Sequence, residues 1–157
     1  MIDPKRRILL KGSLAAGAVG IAVGAGLLTP RAVLAAWPEA AFAAKSVDKA
    51  LNELLGTNVH EASESIKIKA PDIAENGAVV PVTVESDAKG ISSISIIAAG
   101  NQTPLIASFN LGEGAFGFVS TRIKMAKTAE VIAVVKTEDK VMSAAKEVKV
   151  TIGGCGG

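Results

Sequence analysis

At residues 80–85 the chain reads Val80-Pro81-Val82-Thr83-Val84-Glu85. The valines alternate with residues that are not aliphatic, which is the period of a β-strand with one face buried. This stretch therefore predicts a half-buried strand. Because proline cannot donate a hydrogen bond to a neighbouring strand, Pro81 predicts that this point of the strand lies at a sheet edge or at a bulge.

Further strands are predicted on both sides of this stretch. The other strand candidates are residues 66–69, 91–99, 105–111, 116–125, 131–137 and 141–152. Turn signals, mostly with Gly, Asn or Asp, separate them at residues 76–77, 87–90, 100–101, 112–114 and 138–140. About seven short strands with turns at this spacing are typical of an all-β, immunoglobulin-like antiparallel β-sandwich.

A helical pattern precedes the strands, from Trp37 to Leu55. Pro38 suits the first position of a helix, because a missing N–H costs nothing there. Gly56 is a natural stop. Apolar residues recur along one face at spacings of three and four. They are Trp37, Ala41, Ala44, Val47, Leu51 and Leu54. The sequence predicts one N-terminal helix that packs this face against an apolar surface, since an isolated amphipathic helix is marginal in water.

Residues 1–35 have the composition of an export signal. A basic segment at Lys5-Arg6-Arg7 precedes an uncharged run rich in Gly and Ala over residues 12–28. Small side chains then lead to a cleavage position near Ala35. A membrane anchor is the competing interpretation, but the run is at the short end for spanning a bilayer and its glycines lower its hydrophobicity. The sequence therefore predicts cleavage and no stable membrane insertion.

The route of export is indicated by Arg6 and Arg7. Followed by Ile8-Leu9-Leu10-Lys11, they resemble the twin-arginine signal, which directs proteins already folded across the inner membrane. This predicts a periplasmic protein. The chain then divides into a twin-arginine signal peptide over residues 1–35, a helix and sandwich over residues 36–152, and a glycine-rich arm over residues 153–157.

Composition argues against several functional classes. The net charge is +2, but five of the 17 basic residues lie in the predicted signal peptide, so no basic patch remains for nucleic acid. Only 3% of the residues are aromatic, which disfavours a stacking surface for bases. The single histidine, His60, has no second His or Cys beside it, whereas a zinc site needs three or four ligands. The sequence predicts a surface histidine, no metal site and no cofactor.

The chemistry of the chain is concentrated at its end, Gly153-Gly154-Cys155-Gly156-Gly157. Cys155 is the only cysteine, so no intramolecular disulfide can form. Glycine accepts nearly all backbone conformations, and these residues are expected to form a mobile arm. Nothing in the tail activates the thiol, because it holds no cation and no helix N-terminus. The pattern predicts a carrier thiol whose reactions are catalysed by other proteins.

The chain resembles the SoxY family of sulfur carriers, which serve periplasmic thiosulfate oxidation. The resemblance rests on the twin-arginine leader, the Trp37 region, Ala70-Pro71-Asp72-Ile73-Ala74-Glu75-Asn76-Gly77 with Val80-Pro81-Val82, and above all the terminal Gly153-Gly154-Cys155-Gly156-Gly157. It implies covalent attachment of sulfur compounds to Cys155, with Gly153, Gly154, Gly156 and Gly157 as the flexible arm. It also implies a heterodimer with the sandwich protein SoxZ, and transient encounters with SoxAX, SoxB and, where present, SoxCD.

Other interpretations remain open from the residues. A ubiquitin-like sulfur carrier would use the carboxyl group of Gly157, a structural module would dimerise through a Cys155 disulfide, and a binding domain would carry an incidental tail. The sequence leaves open whether the sulfane sulfur is oxidised by a dehydrogenase or passed to a storage globule.

Few aromatics and many short strands also predict an exposed apolar sheet face that binds a second small β-protein.

Overall fold

The structure is a computed structural model, and it describes residues 37–152. Two helices precede the strands: α1 (Glu39–Ala43) and α2 (Val47–Leu55). The strands are β1 (Glu61–Ala62), β2 (Ile66–Lys69), β3 (Ile73–Ala74), β4 (Val80–Ser86), β5 (Ile91–Ala98), β6 (Leu105–Asn110), β7 (Gly117–Ile123), β8 (Ala129–Thr137) and β9 (Val141–Val150).

The strands form two sheets. The large sheet has six strands in the order β1-β9-β8-β5-β6, with β3 also paired to β9, and the small sheet has the order β2-β4-β7. The prediction of an all-β, immunoglobulin-like sandwich is confirmed. The strand number is nine in the described residues rather than about seven, because β1 and β3 have two residues each and pair parallel to β9. A two-residue strand has too few residues to show a period.

The main core lies between the two sheets. Val80, Val82 and Val84 are almost fully buried, as their alternation predicts. They share a cluster with Ile94, Ile96 and Ala98 of β5, Val131, Ala133 and Val135 of β8, and Met142 and Val148 of β9. Small aliphatic side chains therefore fill this core, in agreement with the scarcity of aromatic residues.

Pro81 lies in β4, the central strand of the small sheet. Only part of β4 has a neighbouring strand on both sides. The partner β2 pairs with residues 83–86 of β4, so Pro81 has a paired neighbour on β7 alone. The predicted local edge is therefore present at Pro81, although the strand as a whole is not an edge strand.

The prediction of one helix from Trp37 to Leu55 is wrong, since the chain forms two helices separated at residues 44–46. Ala44 is extended, and Ser46 begins α2 by accepting a hydrogen bond from the Lys49 N–H at 3.3 Å. Pro38 is the N-cap of α1 rather than its first helical residue. Trp37, predicted on the buried face, is 68% exposed. Within residues 37–152, no helix is both long enough and apolar enough to cross a membrane.

The helices cover the outer face of the large sheet. Leu51 of α2 and Ala41 of α1 are buried in a second cluster with Ile97, Leu105 and Val134 of the sheet. Residues 94–98 are all buried, without the alternation of a half-buried strand. Side chains on one face of β5 pack in the main core, and Ile97 on the other face packs in the cluster under the helices. Gly56 ends α2 with φ of 76°, a left-handed conformation that glycine adopts without strain.

The predicted exposed apolar sheet face is not found among the described residues, because α1 and α2 cover the apolar part of the large sheet. The outer face of the small sheet is mainly polar. Its side chains include a Lys69–Glu85 ion pair at 2.6 Å and a Thr83–Ser120 hydroxyl contact at 2.9 Å.

Candidate functional site at the end of the last strand

The predicted carrier thiol Cys155 and the arm glycines Gly153, Gly154, Gly156 and Gly157 lie outside the described residues, as do Arg6 and Arg7 of the predicted export signal. The described chain ends at Ile152, directly before the arm. We call residues 149–152 the root of the arm. The geometry of the root defines where the arm begins.

Strand β3 holds the root along one side. Ile73 pairs with Lys149 and Ala74 pairs with Val150, in a parallel arrangement. The Lys149 N–H donates to the Asp72 carbonyl at 3.0 Å, and the Thr151 N–H donates to the Ala74 carbonyl at 3.1 Å. The ladder therefore continues one residue past the end of β9.

Two further hydrogen bonds hold Thr151 and Ile152, the last two described residues. The Thr151 hydroxyl donates to the Glu75 carbonyl at 2.9 Å. The Gly77 N–H donates to the Ile152 carbonyl at 2.8 Å. The turn at Asn76-Gly77, which the sequence predicted only as a strand boundary, is thus the contact that holds the chain where the arm starts.

The loop after β7 also contacts the root and the Asn76-Gly77 turn. The buried Met125 donates its N–H to the Gly77 carbonyl at 2.7 Å, so Gly77 bridges Ile152 and Met125. The Val150 N–H donates to the Thr128 hydroxyl at 2.9 Å. Three segments of the chain therefore fix the root, and a root held in this way gives the arm a defined origin.

Lys146 secures the segment that carries β3. Its ammonium group donates to the Ala70 carbonyl at 2.6 Å and pairs with the Asp72 carboxylate at 3.0 Å. The Asp72 side chain is 89% exposed, so the ion pair contributes little on its own. The hydrogen bond to the Ala70 carbonyl adds a second attachment, and together they keep the Pro71-Asp72 stretch against β9.

Sequence reasoning did not identify the role of residues 70–77. The stretch entered only as one of the motifs that carry the family resemblance, and no hydrophobic period marks β3. The available signal was Asn76-Gly77, a turn dipeptide that lies between two predicted strands without forming a tight hairpin between them.

The remaining chemical groups form no second candidate site. His60 is exposed, as predicted, and its Nδ1 lies 2.7 Å from the hydroxyl of Ser143 on β9. Within residues 37–152, no group of three His, Cys, Asp or Glu side chains is placed to hold a metal ion. A groove of about 340 Å³ between residues 90–92, residues 111–115 and Glu138 lies at the opposite end of the sandwich from the root.

Comparison with known proteins identifies the family. The family model described as "Sulfur oxidation protein SoxY" matches residues 51–155. The chain belongs to the SoxY family. The matched region contains the second half of α2, the whole sandwich, the root and Cys155, so the SoxY match includes the predicted carrier residue as well as the sandwich that precedes it.

Among solved structures, the sulfur carrier protein SoxY from Chlorobium limicola f thiosulfatophilum is 43% identical, with a TM-score of 0.62, and the match covers 68% of this chain and 97% of that one. The fibronectin(III)-like modules of Clostridium thermocellum CbhA are 16% identical, with a TM-score of 0.40, over 54% of this chain and 93% of that one. No curated protein sequence matches this chain.

Proposed function

We propose that this chain is a sulfur carrier that holds thiosulfate-derived groups covalently on Cys155 and presents them to the enzymes of thiosulfate oxidation. The observation that carries the proposal is the SoxY family match over residues 51–155, which reaches Cys155. The identity of 43% to the sulfur carrier protein SoxY of Chlorobium supports it. The chain acts as a covalent scaffold and not as an enzyme, and the sulfur adduct on Cys155 takes the place of a cofactor.

The loading step is an oxidation. The Cys155 thiol loses its proton, its sulfur forms a bond to the outer sulfur of thiosulfate, and two electrons pass to the c-type cytochrome enzyme SoxAX. The hydrolase SoxB then adds water to the sulfonate sulfur. The adjacent S–S bond breaks with its electron pair remaining on the sulfur bound to the carrier, and sulfate leaves as two protons are released. Where SoxCD is present, it oxidises the remaining sulfane sulfur.

In this proposal the receiving enzyme activates the thiol, and the carrier positions it. The arm contains no cation that would lower the pKa of the Cys155 thiol, so the receiving enzyme supplies the activation. The root contributes position, because hydrogen bonds to Glu75, Gly77 and Ala74 fix the point from which the arm extends. A thiol that visits several active sites needs reach together with a constant origin.

The proposal includes a stable protein partner and export to the periplasm. The chain forms a one-to-one complex with a second small sandwich protein, SoxZ, and light scattering of the purified complex measures this stoichiometry. The complex is exported folded to the periplasm through the signal that contains Arg6 and Arg7. N-terminal sequencing of the exported form is expected to give a first residue at or next to Ala36.

Extending the chain by one alanine after Gly157 tests the proposed attachment site. An adduct on Cys155 does not involve the terminal carboxyl group, so the extended chain is expected to be loaded with thiosulfate at a rate within about two-fold of the natural chain. The measurement is the loaded fraction against time in the reconstituted system, read by mass spectrometry.

The rival ubiquitin-like carrier gives the opposite outcome, because the alanine blocks the Gly157 carboxyl group that would be activated. Loss of loading in the extended chain, with loading retained after alkylation of Cys155, would overturn the proposal. The matched control is the natural chain treated with the same alkylating reagent.

A further inference from the structure

The turn that holds the root contains Asn76 and Gly77, and Asn76 is the one asparagine of the chain that precedes a glycine. This pair is chemically labile, because the backbone nitrogen of the second residue can attack the side-chain amide of the first. Glycine has no Cβ to obstruct the approach. Asparagine is counted among the thermolabile residues of proteins. Asn76 is exposed, so water reaches its side chain and the reaction can run to completion there.

The side-chain amide of Asn76, which would be the electrophile, is polarised in the folded chain. Its Oδ1 accepts a hydrogen bond from the Ala78 N–H at 2.8 Å. This bond draws electron density away from the carbonyl carbon, Cγ. It would also stabilise the negative charge that develops on Oδ1 when a nucleophile adds to Cγ. The fold therefore does nothing to protect Asn76 on the side of the electrophile.

The backbone nitrogen of Gly77, which would be the nucleophile, is bound to the root of the arm. Its N–H donates to the Ile152 carbonyl at 2.8 Å. The nitrogen must lose this proton to attack, and a proton held in a hydrogen bond is removed less readily. Gly77 is also buried, and its carbonyl accepts from the Met125 N–H at 2.7 Å, so contacts on both sides fix its orientation. The protection of Asn76 therefore depends on the root.

We propose that Asn76 is a deamidation site that the closed root protects, and that opening of the root converts Asn76 into aspartate and isoaspartate. The Gly77 nitrogen forms a bond to Cγ of Asn76, and Nδ2 leaves as ammonia with the amide proton of Gly77. The product is a cyclic imide, which water opens at one carbonyl group to give aspartate or at the other to give isoaspartate. The reaction consumes water, releases ammonia and needs no oxidant or reductant. It does not depend on the carrier function.

Isoaspartate at residue 76 would keep the root from closing again. Its main chain runs through Cβ and Cγ, so one additional atom separates the Cα of residue 76 from the Gly77 nitrogen. The N–H and the carbonyl of Gly77 are then displaced from Ile152 and Met125, which they contact at 2.8 Å and 2.7 Å. Aspartate keeps the normal main chain and an oxygen that can accept from the Ala78 N–H. Only the isoaspartate product is therefore expected to loosen the root.

The test opens the root in the full chain by Thr151→Pro. The Thr151 N–H donates to the Ala74 carbonyl at 3.1 Å, and its hydroxyl donates to the Glu75 carbonyl at 2.9 Å. Proline has neither donor, so both attachments that precede Ile152 are lost. Thr151 is exposed and follows the end of β9, so the core between the sheets is not altered. Thr151→Val is a milder second variant, which removes the hydroxyl and keeps the N–H.

The measurement is the rate of deamidation at residue 76, read by peptide mapping and mass spectrometry during incubation of the folded protein. Thr151→Pro is expected to react roughly ten-fold or more faster than the natural chain, because the lost hydrogen bonds raise the population of the open root. Thr151→Val is expected to react at an intermediate rate. The matched control is Thr83→Val, which removes a hydroxyl contact to Ser120 on the small sheet and is expected to match the natural chain. The natural chain unfolded in guanidinium chloride gives the unprotected rate.

Equal rates for folded Thr151→Pro and the natural chain would overturn the inference, as would a folded natural chain that reacts as fast as the unfolded one. If thermal unfolding shows that Thr151→Pro does not fold, the comparison of Thr151→Val with Thr83→Val decides in the same way.

The effect on the root is tested on the purified isoaspartate form by hydrogen exchange. Its Gly77 amide hydrogen is expected to exchange roughly ten-fold faster than that of Asn76→Asp, which has the same charge on a normal main chain. Equal exchange in the two proteins would contradict the proposed loosening of the root.

Discussion

Replacing Cys155 with serine is expected to abolish thiosulfate-dependent turnover by the reconstituted enzymes, by roughly three orders of magnitude or more. A serine hydroxyl keeps the size and backbone preferences of the arm, but oxygen cannot form the S–S bond that links the carrier to thiosulfate. The variant is expected to fold and to bind its partner normally. Its free energy of unfolding should change by less than about 0.5 kcal/mol, as at an exposed site.

Thiosulfate-dependent turnover by the Cys155→Ser variant, in a preparation free of the natural chain, would contradict the account. The control asks whether a thiol elsewhere in the domain can replace Cys155, and it uses the buried residue Ser143. Ser143→Cys places a second thiol on β9, and in the Cys155→Ser background this thiol is expected to give no turnover, because Ser143 is 6% exposed and cannot reach an external active site. Rescue by this thiol would show that position on the arm is not required.

Replacing Gly154 with valine is expected to have the second-largest effect. A β-branched side chain restricts the backbone beside the thiol and widens an arm that has to enter a channel. Turnover should fall on the order of ten- to a hundred-fold. The reaction of Cys155 with a small disulfide reagent should stay within about two-fold of the natural rate, because that reagent needs no channel.

The matched control is Gly112→Val in the loop between β6 and β7. A Cβ at Gly112 would meet no atom within 4 Å, and Gly112 has no left-handed φ that would strain a side chain. This variant is expected to turn over as the natural chain does. The account fails if Gly154→Val and Gly112→Val are equally active, since the arm would then tolerate bulk and a narrow channel would not be needed.

The sandwich could be predicted from sequence because its core strands obey one rule over several residues. Val80, Val82 and Val84 alternate with more exposed neighbours, and the structure buries all three. Residues 94–98 do not alternate, since one face of β5 packs against the small sheet and the other lies under the helices. The strand was still predictable there from its apolar content and its length.

The helical region could be predicted only in part. Residues 39–45 are rich in alanine and have high helix propensity, which hides the break before α2. The signal for the break was Ser46 followed by Asp48, an N-cap residue with an acid in the first turn. The sequence predicted that this region packs against an apolar surface but did not identify that surface as the outer face of the large sheet. The absence of an exposed apolar sheet face in the described domain was therefore not predicted.

The candidate site divides in the same way. The nature of Cys155 and its glycines could be inferred from sequence, because the argument depends on residue type and position along the chain. The root could not, because it depends on tertiary hydrogen bonds from Gly77 and Thr151 that have no local period. A sequence pattern can therefore predict a carrier arm, and this stays a prediction, whereas the contacts that hold the root require the fold.

Mass spectrometry of the protein after incubation with thiosulfate and the reconstituted loading enzyme tests the central claim most directly. We predict that the intact chain gains the mass of one thiosulfate-derived group, that peptide mapping places it on Cys155, and that a thiol reductant releases it. Sulfur found on the Gly157 carboxyl group, or a chain that gains no mass while thiosulfate is consumed, would contradict the claim.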